Sequence, residues 1–218
     1  MRTCLFIACL LIATSAVAKR THVIIETDSG RIEMVLYNET PKHRDNMVKL
    51  INQHFYDSLL WHRVIPGFVI QGGDPDSKHA PADKMLGDGD VGYRIPAEIN
   101  DKYYHVRGAV GAARDNNPEK ASSGCQFYIV VGRKFSDEEI DKAEQRSGHK
   151  HSAAQREAYK KLGGTPHLDG NYTVFGEVIE GMAVVDKISN AVTKNERPVA
   201  NIRMNRVYLK RKKFLGIF

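Results

Sequence analysis

Apolar and polar positions along the chain change rhythm several times, and each change marks an element. Residues 22–37 read as a hairpin. Val23, Ile24 and Ile25 lead to the turn signal Asp28-Ser29-Gly30, and Arg31 to Tyr37 returns with partial alternation. Thr40-Pro41 then opens a helix, with Thr40 as its cap and Pro41 at the first helical position. Met47, Leu50 and Ile51 recur at helical spacing and face a core. The next stretch, Trp61 to Asp74, reads WHRVIPGFVIQGGD. Its strand-like apolar run is broken by Pro66-Gly67 and closed by Gly72-Gly73. Arg63 and Gln71 are eight apart, so a period of two puts both on one side, with a bulge or kink at the Pro-Gly step. A guanidinium and a carboxamide then face one groove floored by aromatic and branched side chains. Taken alone, the pattern also fits a buried strand with solvated polar ends.

Beyond it, residues 75–92 are rich in Gly, Asp and Pro and read as loop. The glycines of 87–92 are not a phosphate cradle, because two acids lie among them and no strand-to-helix context surrounds them. Strand character returns from Tyr93 to Ile99. Gly108 to Arg114 is a run of small residues suited to close approach by a backbone or ligand, and Cys125 to Val131 is the clearest buried strand. Residues 133–166 break the β rhythm. Ser136 with Glu139 and Ser152 with Gln155 each match a capping box, and Gly163-Gly164 supplies a stop, so two short polar helices facing solvent are expected. A strand from Tyr172 to Val178, a core helix beginning at Met182 and a closing strand from Ile202 to Leu209 complete the chain. Many short strands with two packed helices predict a mainly β fold, a closed antiparallel barrel capped at its ends, in one domain.

Composition changes this picture little, except at the ends. A chain of 218 residues, 42% apolar and 27% charged, has ample length for a core. The formal charge of +6 is spread among acids except at Lys210 to Lys213, which reads as a solvated strand end and not as a nucleic-acid arm. At the other end Arg2 precedes an apolar run from Cys4 to Ala13, and Ala16-Val17-Ala18 has the small-x-small form of a cleavage site. Residues 1–18 are therefore expected to be a secretory signal peptide, with the mature chain starting at Lys19 and no membrane span. Cys4 and Cys9 leave with it. Cys125 then has no internal partner for a disulfide, and no cysteine metal site can form.

WHRVIPGFVIQGGD resembles, over fourteen consecutive residues, the FHRVIPGFMIQGGD-like segment of the cyclophilin peptidyl-prolyl isomerases. Gly108 to Arg114 resembles that family's GxxxMAN segment, CQFYI its SQFFI strand, and HLDGNYTVFG its WLDGxHxVFG loop. The resemblance runs from about Thr21 to Arg211, interrupted by 133–166, and is greatest to bacterial exported members. It implies an eight-stranded antiparallel barrel with two capping helices, here carrying a short helical insertion, and catalysis of rotation about X-Pro bonds without cofactor or metal. By motif position Arg63 is the implied catalytic arginine. Phe68, Val69, Tyr128 (where the family usually has Phe) and Leu168 line the proline pocket, while Gln71 and Gln126 bind peptide backbone. Ala113 and Arg114 fall where the family has Ala-Asn, His167 where a Trp often stands, and Tyr172 where many members have His. These departures imply weak cyclosporin binding.

The implied partners are proline-containing peptides and unfolded exported proteins, met by a monomer in the periplasm or cell envelope. A non-catalytic module or chaperone that grips proline segments on the same barrel is the alternative. A histidine metal site is the third reading, prompted by His149-Lys150-His151; these histidines read as surface residues flanking a turn between the inserted helices. The insertion enters just before His167-Leu168, either as a flap at the pocket rim or as a tolerated surface segment.

Overall fold

The computed structural model describes residues 19–210. The expected signal peptide, and Arg211 to Lys213 of the basic cluster, lie outside the described residues. Eight strands close the barrel: β1 (Thr21–Thr27), β2 (Gly30–Leu36), β3 (Leu59–Ile65), β4 (Val69–Gly72), β5 (Ala109–Ala112), β6 (Phe127–Val130), β7 (Val174–Glu180) and β8 (Arg203–Leu209). Their order around the barrel is β1-β8-β3-β4-β6-β5-β7-β2, and every neighbouring pair is antiparallel. Closure leaves no open edge among these strands.

Period-two alternation divides the side chains into two clusters. Ile25, Met34, Trp61, Val64, Ile70, Phe127, Ile129 and Val207 belong to the larger one, which helix α1 (Pro41–Asn52) joins through Met47, Leu50 and Ile51. Helix α4 (Met182–Ser189) joins it through Val185 and Ile188. The intervening residues Val69, Tyr128, Val130 and Val174 form a second cluster on the other face, with Leu168 and Tyr37. The proline-pocket candidates stand on that outer face.

Several local expectations are corrected. The Pro66-Gly67 step is a chain reversal and not a kink within one strand. Phe68 N donates to Ile65 O and Gly67 has φ +70°, a type II turn with proline and glycine where that turn favours them. The bulge lies instead at His62, where the β3–β4 register shifts between Trp61 and Arg63. Thr40 does not cap α1 with its side chain; its hydroxyl turns to Tyr37 O, and the Glu98 carboxylate accepts the amides of Lys42 and His43. Strand character in Tyr93–Ile99 shrinks to Arg94–Ile95, paired with Ser122–Ser123.

The inserted helices α2 (Asp137–Ser147) and α3 (Ala153–Lys161) both start with complete capping boxes. They are not surface decoration. Ile140 and Tyr159 are fully buried, Glu144 and Gln155 nearly so, and α2 packs on the turn Pro166–Leu168. His151, expected on the surface, is buried between two carboxylates.

His62 gives one pH prediction. It is 3% exposed and neither ring nitrogen has a partner. Burial, opposed by Asp74 and reinforced by Arg63 and Arg197, lowers its pKa from 6.5 to about 4. The unfolded chain therefore binds a proton that the folded chain refuses, and stability falls as pH drops from about 6.5 to about 4, by up to ~3 kcal/mol. His62→Leu is expected to shrink the difference between urea midpoints at about pH 7 and about pH 4.5. An unchanged difference in the variant would refute this account.

Candidate active site

The bulge at His62 brings Arg63 into register with Gln71, so the pair faces across two strands. Gln71 in turn pairs with Tyr128 on β6, and Tyr128 with Gly111 on β5. These four residues make one transverse row on the outer face. Gly111 is the reason for the small-residue run: a Cβ there would lie 2.3 Å from the Tyr128 ring. The space that the Tyr128 side chain occupies is therefore open only because this position is glycine.

A polar chain runs along one side of this row. Arg63 Nη1 donates to Gln71 Oε1 (3.2 Å), Gln71 Nε2 to Gln126 Oε1 (3.0 Å), and Gln126 Nε2 to the carbonyls of Gly87 and Gly89 (2.8 Å each). Gly87 N also donates to buried Asp74, which ties the glycine-rich loop back over the sheet. Arg63 Nε donates to Glu196 Oε2 at 2.7 Å. Arg63 is over a third exposed and Glu196 about half, so the pair adds little stability, but together with Gln71 it sets the plane of the guanidinium.

Arg63, Phe68, Val69, Gln71, Ala113, Arg114, Tyr128, Leu168 and Tyr172 line a hollow of about 100 Å³. A wider groove of about 820 Å³ shares Gln71, Ala113 and Arg114 with it and continues past Gln126, Asp88, Asp90 and Asp115. Arg114 reaches the site with its side chain as well as its backbone. Its Nε donates to Asn171 O and its guanidinium lies 4.7 Å from the Tyr172 ring centre. Two candidates stand outside the hollow. Gln126 lines only the groove, and His167 stacks on Phe68 with ring centres 5.4 Å apart. Burial pushes the His167 pKa down to about 4, so the ring is neutral and serves as an aromatic surface.

Sequence reasoning missed Glu196, Asp169 and His105. Glu196 sits at the tip of a small ribbon, with φ +64° after Asn195 at φ +52°, and its backbone O accepts Val64 N. Asn195 suits the first position of such a turn, but Glu196 stands where glycine is the usual residue, so the dipeptide gives only half of the signal. Asp169 lies within the HLDG motif and could have been singled out there as a buried acid. Cys125 is buried and its thiol is pushed up to about 11, which leaves it protonated at neutral pH.

The site holds a fixed cation, a carboxamide and an aromatic hollow of about 100 Å³. The model of the family "Cyclophilin type peptidyl-prolyl cis-trans isomerase/CLD" matches residues 22–209. Peptidyl-prolyl cis-trans isomerase A of Dickeya dadantii is 32% identical over 86% of this chain and 80% of its own length. A bifunctional phosphatase/peptidyl-prolyl cis-trans isomerase of Streptococcus pyogenes is 35% identical over 78% of this chain, which spans 34% of that longer relative. Among solved structures, a Cryptosporidium parvum cyclophilin type isomerase shares the fold, with a TM-score of 0.67 and 22% identity over 89% of this chain and 99% of its own. A second structure of it was determined in the presence of the dipeptide Ala-Pro. The chain belongs to the cyclophilin type peptidyl-prolyl cis-trans isomerase family.

Proposed function

We propose that this isomerase acts on exported chains, with Arg63 as its catalytic residue and the Phe68–Tyr128–Leu168 hollow as its proline site. The observation that carries the catalytic assignment is the register of Arg63 with Gln71 beside that hollow. An X-Pro bond resists rotation because amide resonance sets a barrier of about 18–20 kcal/mol. In the twisted amide, resonance is lost and the proline nitrogen gains a lone pair. A guanidinium beside the ring donates to that lone pair only when it exists, so it favours the transition state over either planar isomer. Glu196 and Gln71 hold the plane of this donor in advance, which avoids reorganisation during rotation. The hollow grips the ring, and the groove beyond Gln71 takes the neighbouring peptide. The Ala-Pro dipeptide present with the Cryptosporidium protein supports this choice of ligand.

Export rests on the apolar run and the Ala16-Val17-Ala18 site. The test is N-terminal sequencing of the chain recovered from the cell envelope of an expressing bacterium. A first residue of Lys19 is expected. Uncleaved chain confined to the cytosol would overturn the export proposal while leaving the isomerase assignment untouched.

A further inference from the structure

The inserted helices bring a line of buried polar groups to the floor of the proline hollow. Asp169, 3% exposed, is its centre. Oδ1 accepts the backbone amide of His105 (2.9 Å) and its Nδ1 (2.6 Å), while Oδ2 accepts the Tyr159 hydroxyl and His151 Nε2 (2.9 Å). Nδ1 lies against that carboxylate, which fixes the orientation of the His105 ring. Tyr128 Oη lies 2.8 Å from Nε2 of the same ring and is hydrogen-bonded to it. Tyr128 thus presents its ring to the hollow while its hydroxyl is held by His105. Every link of this line is buried, and two of the groups on Asp169 come from the insertion: His151 from the loop between its helices and Tyr159 from α3.

We propose that the insertion is a positioning element for the proline site: His151 orients Asp169, Asp169 orients His105, and His105 fixes the Tyr128 ring that receives the proline. The insertion is then neither a tolerated surface segment nor a flap. The proposal rests on the hollow being the proline site, and it adds a residue far from any substrate atom to the determinants of affinity.

The relay also senses pH. His151 faces Asp169, Glu144, the Tyr159 ring and the His149 ring, and Glu144 is shared with Lys150 and Arg156. Burial disfavours its charged form, but Asp169 and Glu144 outweigh burial and raise its pKa. As pH climbs through that raised value the imidazolium is lost, and the grip on Asp169 weakens.

A double-mutant cycle between His151→Gln and Tyr128→Phe tests the relay, because phenylalanine keeps the ring and cuts the last link. His151→Gln alone is expected to raise KM for a prolyl tetrapeptide about three- to tenfold with kcat changed less than about twofold, and to raise it less than about twofold in the Tyr128→Phe background. An equal rise in both backgrounds would show general loosening and overturn the relay, as would no rise in either. Calorimetric Kd values for Ala-Pro read the same cycle without turnover, so the relay is judged apart from the catalytic role of Arg63. Should His151→Gln not fold, the parent and Tyr128→Phe decide between them. KM of the parent is expected to rise between about pH 6 and about pH 9 and that of Tyr128→Phe to stay flat; parallel profiles would overturn the proposal.

Discussion

Arg63→Ala lowers kcat/KM toward a prolyl tetrapeptide by at least tenfold, and on the order of a hundredfold if the guanidinium acts as other transition-state donors do. Stability changes little, because the side chain is over a third exposed and its ion pair with Glu196 is worth at most about 1 kcal/mol. The two expectations together separate chemistry from folding. Arg63→Lys keeps the charge but loses the planar fork that meets Glu196 through Nε and Gln71 through Nη1 at once, so it rescues only part of the rate. A protease-coupled assay with urea melts of the same samples decides both points. A near-normal rate for the alanine variant would leave the hollow as a binding site without a catalytic group.

The second large effect is on stability. Asp169→Ala leaves four donors facing an empty space: the amide and ring of His105, the Tyr159 hydroxyl and His151 Nε2. Removing one partner of a buried charged network costs about 3–5 kcal/mol, a large share of the stability of an ordinary domain. The groups that hold it show how strongly the carboxylate is committed. Burial alone would raise its pKa, yet His105, His151 and Tyr159 together pull it far below the usual carboxylate range. Because the folded value is depressed, this contribution is present above the unfolded carboxylate pKa and is lost as pH falls below it, toward the folded value. The alanine variant should therefore unfold at much lower urea than the parent near neutral pH, and the gap between them should close in acid. A gap that persists unchanged in acid would argue that packing, and not the carboxylate, carries the effect.

What could be read directly from the sequence was set by neighbours along the chain. The capping boxes Ser136/Glu139 and Ser152/Gln155 form as read, because each needs only a hydroxyl and a carbonyl-bearing side chain three residues apart. The first hairpin, α1 and the buried strand around Phe127–Val130 follow from periodicity and turn residues. The residues of the hollow were legible through a motif whose Arg63, Phe68, Val69 and Gln71 lie within nine positions. Where a reading failed, a distant group had taken over. Glu98 displaced Thr40 as the cap of α1 from 55 residues away, and the ribbon at Glu196 reached Arg63 across 133.

The same division explains the insertion. Its helix boundaries are local, so its sequence determined them. Its polar surface pattern also predicted exposure, since Glu144, His151, Gln155 and Tyr159 carry groups that ordinarily face water. Only closure of the barrel places Asp169 and His105 where those groups can be satisfied without water, and a buried polar group is tolerated when its partners are there to meet it. Sequence determined which groups each segment offers; the tertiary structure decided which of them meet, because a hydrogen bond between remote residues exists only after the chain has closed the loop between them.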